Sequence, residues 1–116
     1  MEKRFKLNLR DYTAKQNGKE LLNTEGKPVI YQVKASVSTV LFAPRLQLGM
    51  RDVIRNDAIA KNIETAKDDV LLTEEEAQII KEAFRVFVGF GRLDIELINR
   101  IETMEEIDVK VKEIKE

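Results

Sequence analysis

Apolar residues near the start of the chain alternate with polar ones. Phe5, Leu7 and Leu9 fall on one side of residues 4–10, with Arg4, Lys6, Asn8 and Arg10 on the other. That is the period of a strand with one buried face. Residues 11–28 are polar and carry Asn17-Gly18, Asn23 and Gly26, all turn formers. Asn-Gly signals a hairpin when strands flank it, and residues 19–22 offer only a short strand. This stretch therefore reads as a loop or ragged hairpin, with a second strand beginning at Val29.

The residues that follow carry two periods at once. Val29, Tyr31, Val33, Ala35, Val37, Thr39 and Leu41 alternate and are rich in β-branched types, which argues for strand. Val33, Val37, Val40 and Leu41 also fall at helical spacing. A single strand over this whole span would far exceed the usual ~5–6 residues. The reading is a strand over 28–33, then a helix to about residue 43. Pro44 stops it, because the residue before a proline disfavours the helical conformation.

Met50, Val53, Ile54, Ile59, Ile63 and Ala66 predict a helix over about 50–67, with an irregularity near Asn56-Asp57. Asp68-Asp69 breaks to an apolar Val70-Leu71-Leu72, and Thr73-Glu74-Glu75-Glu76 then forms a capping box. Three carboxylates in that first turn suit the helix dipole, and Leu72 is placed to pack on Ala77. This helix is predicted to reach Val88, with Ile79, Ile80, Ala83, Phe84, Phe87 and Val88 as its apolar face. Gly89-Phe90-Gly91 ends it, either glycine suiting a left-handed cap. A last helix is predicted over 92–104, where Leu93, Leu97, Ile101 and Met104 line one face and Ile95 and Ile98 make a second. Two apolar faces exceed what a monomer core of this size needs. Leu93, Ile95, Leu97, Ile98 and Ile101 are therefore the candidate oligomer interface. Residues 106–112 alternate again and read as a strand able to join the N-terminal ones.

These elements assemble into one α+β domain. Residues 1–33 are mainly strand, 34–104 form a bundle of three or four helices, and 105–116 are a charged tail or edge strand. At 116 residues the chain can bury roughly two-thirds of its unfolded surface without metal or disulfide staples. The absence of His and Cys excludes Ser-His-Asp and Cys-His catalysis and Cys/His zinc sites. No cofactor is expected. The basic residues at the start precede no apolar stretch, and the longest apolar runs, 86–91 and 40–44, are far short of a membrane span. A cytoplasmic protein is the expectation.

The formal charge of −1 hides an asymmetry: residues 1–60 hold 11 Lys and Arg against 6 acids, residues 61–116 hold 9 against 15. The simplest reading is that the halves attract each other. The alternative is a nucleic-acid-binding accessory protein, with Arg45, Arg51 and Arg55 as phosphate contacts. Asp68-Asp69 lacks the spacing of a calcium loop and reads as a solvated turn. Glu74, Glu75 and Glu76 are helix-start chemistry, and Glu102, Glu105 and Glu106 the outer face of the last helix. Gly89-Phe90-Gly91-Arg92 lacks phosphate-loop spacing and follows a helix, so it reads as an interhelix turn.

The order of elements is more specific than any motif. A Phe-x-Leu-x-Leu strand comes first, then a Gly-Lys-Pro turn and a helix ending in Ala-Ile-Ala-Lys-Asn-Ile at 58–63. The capping box at 73–76, a Phe-Gly-Arg turn and a closing helix follow. Over residues 28–104 this resembles the small proteins of tailed bacteriophages and prophages. The resemblance implies a phage-encoded, non-enzymatic protein of the host cytoplasm, an assembly factor or an inhibitor of a host protein. It carries over no functional residue. The expectation is a protein–protein interaction module that pairs with itself and with a host or virion protein.

Overall fold

The computed structural model describes residues 2–109. In chain order it contains β1 (Glu2–Asn8), β2 (Tyr12–Thr13), β3 (Lys15–Gln16), β4 (Lys19–Glu20), β5 (Ile30–Tyr31), α1 (Val33–Leu41), α2 (Met50–Thr65), β6 (Asp69–Leu72), α3 (Glu74–Val86), α4 (Ile95–Glu102) and β7 (Glu105–Val109). Single 3-10 turns lie at Pro44–Leu46 and Arg92–Asp94. The fold is α+β.

The main sheet is antiparallel, with β1 between β6 and β7. The alternation in β1 works as expected, Leu7 and Leu9 being buried and Phe5 packing against the core. Phe5 lies opposite Leu72 and Leu7 opposite Val70, so β6 shares that inward face. Two points that the sequence leaves open are settled here. Val70-Leu71-Leu72 is a strand of the main sheet. The strand after Val29 pairs with β2, Tyr12 opposite Tyr31. Its partner was set by the intervening hairpin, which folds residues 12–31 into a small lobe of their own.

Within that lobe Asn17 (φ 54°) and Gly18 (φ 76°) both adopt the left-handed conformation between β3 and β4. Two positive φ values match the two-residue hairpin turn that Asn-Gly favours. The adjoining turn is held by Asn23, whose side-chain oxygen accepts from the amides of Glu25 (2.9 Å) and Lys27 (3.0 Å).

The ambiguous segment resolves as strand then helix. α1 buries Val33, Val37, Val40 and Leu41, and Ala43 is extended before Pro44. α2 is continuous through Asn56-Asp57, and the expected irregularity is absent. It buries Asn56, Ile59, Ala60 and Ile63, but its first turns run past the core and leave Met50, Val53 and Ile54 exposed. The Lys34 ammonium reaches the other end of α2, donating to the carbonyls of Glu64 (3.4 Å) and Ala66. A cation there suits the helix dipole.

The Thr73 capping box forms as read: Thr73 Oγ1 accepts from the Glu76 amide (3.1 Å), and Glu76 Oε1 accepts from the Thr73 amide (2.9 Å). α3 nevertheless ends at Val86, short of the expected Val88, and Phe87 is extended rather than left-handed. Val88 is exposed, not part of the apolar face. Gly89, at φ 120°, turns the chain so that the Phe90 ring returns to within 4.6 Å of Phe87 and 5.5 Å of Phe84. Three rings thus seal the end of the core.

β7 confirms over Glu105–Val109 the terminal strand expected for 106–112; residues 110–112 lie outside the described ones. Its register places Glu106 opposite Phe5 and Ile107 opposite Arg4. The two charge halves do meet: Lys3 pairs with Glu106 (3.2 Å), Arg10 with Asp68 (3.6 Å) and Lys6 with Asp69 (3.9 Å). All three pairs are solvent-facing, so each adds little stability. No described helix is long and apolar enough to cross a membrane.

Candidate functional site

A groove of about 640 Å³ lies between α3 and the segment from Arg45 into α2. Leu46, Leu48, Ile79, Ala83 and Val86 give it an apolar floor. Arg45, Asp52 and Arg55 form one wall, and Glu75, Gln78 and Glu82 the other. Local rules place each group. Pro44 starts a 3-10 turn that ends at Gln47 with φ 50°, and this reversal carries Leu46 and Leu48 past α3. Asp52 then accepts from the Gly49 amide at the start of α2 (3.3 Å), fixing that helix's entry.

Asn56 anchors the groove's inner end. It is 1% exposed, the one buried polar side chain among the described residues. Its Nδ2 donates to the Leu41 carbonyl (2.7 Å), an acceptor at the end of α1, and its Oδ1 accepts from Arg55 Nε (3.1 Å). Arg55 also pairs with Asp52 at 3.6 Å. One polar side chain therefore locks α2 to the end of α1 and helps hold the basic wall in place.

Of the three arginines read as phosphate contacts, Arg45 and Arg55 do line this groove, and Arg51 lies off it. Asp52, Glu75 and Glu82 line the same groove. Two guanidiniums among three carboxylates do not make the uniformly positive surface that a phosphate backbone requires. The three arginines are thus split between two surfaces.

The expected oligomer interface is also divided. Leu97 and Ile101 are fully buried in the chain's own core, Ile98 packs against it, Leu93 is half-buried, and Ile95 is 53% exposed. The hairpin lobe covers the start of α4. Tyr12 Oη donates to the Leu93 carbonyl (2.6 Å), Tyr31 Oη donates to Asp94, and the two rings stack 4.6 Å apart. Arg100 lies over the Tyr12 ring at 5.1 Å and donates to the Arg10 carbonyl (2.6 Å). Burial raises the phenol pKa of both tyrosines, and in Tyr31 donation to Asp94 raises it further. The lobe packs against this end of α4 and leaves Ile95 exposed.

Among the described residues no three His, Cys, Asp or Glu side chains gather to hold a metal ion. Sequence reasoning missed the acidic wall of the groove and its floor. Leu46 and Leu48 flank a polar Gln47 after Pro44, a local apolar signal that assigned them to no element. Glu75, Gln78 and Glu82 recur along the polar side of α3 at helical spacing, with nothing local to show what they face. No family model, curated protein or solved structure matches the chain.

Proposed function

We propose that the chain is a non-catalytic protein-interaction module that takes a segment of a partner protein into the groove between α2 and α3. The observation that carries this reading is an apolar floor between two walls bearing both signs of charge. Such a cleft suits an amphipathic segment, with its apolar side on Ile79 and Val86 and its charges matched to either rim. The polar groups at the inner end are already engaged with the fold, Asn56 with Leu41 and Arg55 with Asp52. The likeness to small tailed-phage proteins points to a host or virion protein as partner, with the chain acting as an assembly factor or an inhibitor.

A photo-crosslinking residue placed at Gln78 tests the reading, with the same group at Lys19 on the β3–β4 hairpin as control. In host extract the Gln78 probe is expected to join a discrete protein. Excess unlabelled chain should compete that adduct away, and Ile79→Arg in the groove should abolish it. Equal labelling from both positions, or an adduct that survives Ile79→Arg, rejects the groove as the docking surface.

A further inference from the structure

The groove between α2 and α3 is built without a strand. Leu46 and Leu48 come from the stretch between Pro44 and α2, Arg55 from α2 itself, and Ile79 and Val86 from α3. This decides how a partner's backbone can lie there. An extended segment gains its affinity by adding to a sheet edge, which takes up its N–H and C=O groups, and no strand borders this floor. A helix satisfies those groups within itself and needs only side-chain contact.

The spacing along α3 fits a helical occupant. Ile79, Ala83 and Val86 stand at i, i+4 and i+7 on the floor, and Glu75, Gln78 and Glu82 at i, i+3 and i+7 on the rim. Each row therefore runs about 10 Å along the axis, two turns of a helix laid beside it. The charges on the two walls differ. On one, Asp52 is paired with Arg55 at 3.6 Å, which leaves Arg45 as the excess cation. On the other, Glu82 pairs with Arg85 at 3.5 Å, and Glu75 has no ion-pair partner among the described residues. Arg45 and Glu75 are both exposed.

We propose that the partner segment is an α-helix of two to three turns, apolar along the side that meets Ile79 and Val86, with a basic flank facing Glu75 and Glu82 and an acidic flank facing Arg45. This rests on the groove reading and adds to it the form of the partner's backbone and the order of its charges. A helix carrying one sign of charge on both flanks sets like charges against one of the two rims, which costs it affinity.

The test uses the full chain as bait for two displayed libraries. In one, segments of about three turns on a helical carrier vary in their apolar residues along one side and in Lys, Glu or Gln on both flanks. The other holds the same residues around a central Pro-Gly, which bars a continuous helix. Binders that are lost on Ile79→Arg are kept. They are expected from the helical library alone, basic on one flank and acidic on the other. Glu75→Lys/Glu82→Lys should weaken them about tenfold or more, and exchanging the basic flank for Glu should restore binding to that variant. Groove binders from the broken library, or helical binders indifferent to flank charge or to the reversal, overturn the proposal. So does a chain that pairs with itself through the groove, seen in sedimentation as a dimer that Ile79→Arg dissolves. The Gln78 adduct separates this proposal from the groove reading. If the adduct forms and Ile79→Arg abolishes it while no helical segment is selected, the groove is a docking surface and its occupant is not this helix.

Discussion

Asn56 shows how a single polar side chain settles where a helix lies. Apolar packing through Ile59, Ala60 and Ile63 holds α2 against its neighbours but leaves its rotation and height loosely fixed. A buried amide with one carbonyl to satisfy removes that freedom, because a buried acceptor left unpaired costs about 1–3 kcal/mol. Asn56→Leu keeps the bulk of the side chain and removes the donor to Leu41. It is expected to lower unfolding free energy by about 2–3 kcal/mol in urea titration. Asp52→Asn, which keeps an acceptor for the Gly49 amide and removes the charge paired with Arg55, should cost less than about 1 kcal/mol, since that pair is solvent-facing and such pairs are weak. Equal losses from the two variants would mean that the surface pair, not the buried amide, positions the groove wall.

At the scale of elements, Gly89 and Gly91 separate two uses of the same residue type. Gly91 has φ −119°, its position is open apart from Asp94 Oδ2 at 4.0 Å, and its amide donates to Asp94. Gly89 has φ 120°, a conformation that L side chains rarely adopt. Gly89→Ala is therefore expected to destabilise the fold by about 1–3 kcal/mol, and Gly91→Ala to leave it nearly unchanged, both read from thermal melts. The sequence announced a break at this point because glycine is a local signal. It did not show the reason, which is the return of Phe90 onto Phe84 and Phe87. The same division runs through the fold. The Asn17-Gly18 turn, the Thr73 capping box and the passage from strand to helix near Val33 are fixed by neighbours within a few residues, and all were legible. The pairing of β1 with β6, more than sixty residues away, was not, because a four-residue apolar run carries no record of its partner. Arg45 and Arg55 stood out as a basic cluster. That Glu75 and Glu82 share the groove with them is a consequence of packing α3 beside the Pro44 turn. Likewise the second apolar side of α4 was plain in the sequence, but the lobe that meets its first residues was not.

For the molecule as a whole, the junction between the hairpin lobe and α4 couples stability to pH. Tyr12 and Tyr31 are the chain's only tyrosines, it has no tryptophan, and both rings sit at this junction. Each is held protonated, Tyr12 by burial and Tyr31 by burial together with its hydrogen bond to Asp94. An unfolded tyrosine loses its proton near pH 10, whereas the folded values lie higher, so above that pH the unfolded chain binds fewer protons. The stabilisation is complete below about pH 10 and is lost progressively as pH rises beyond it. Absorbance at the phenolate band therefore follows these two residues and no others. In the native chain it should stay flat past the ordinary tyrosine range and then rise together with the loss of helical circular dichroism. Tyr31→Phe should leave the Leu93–Tyr12 contact in place, lower stability at neutral pH, and soften the alkaline transition by removing the more strongly shifted group. A smooth titration of both tyrosines near pH 10 with the helical signal intact would show that the lobe is not latched to α4, and that its residues titrate as they would in water.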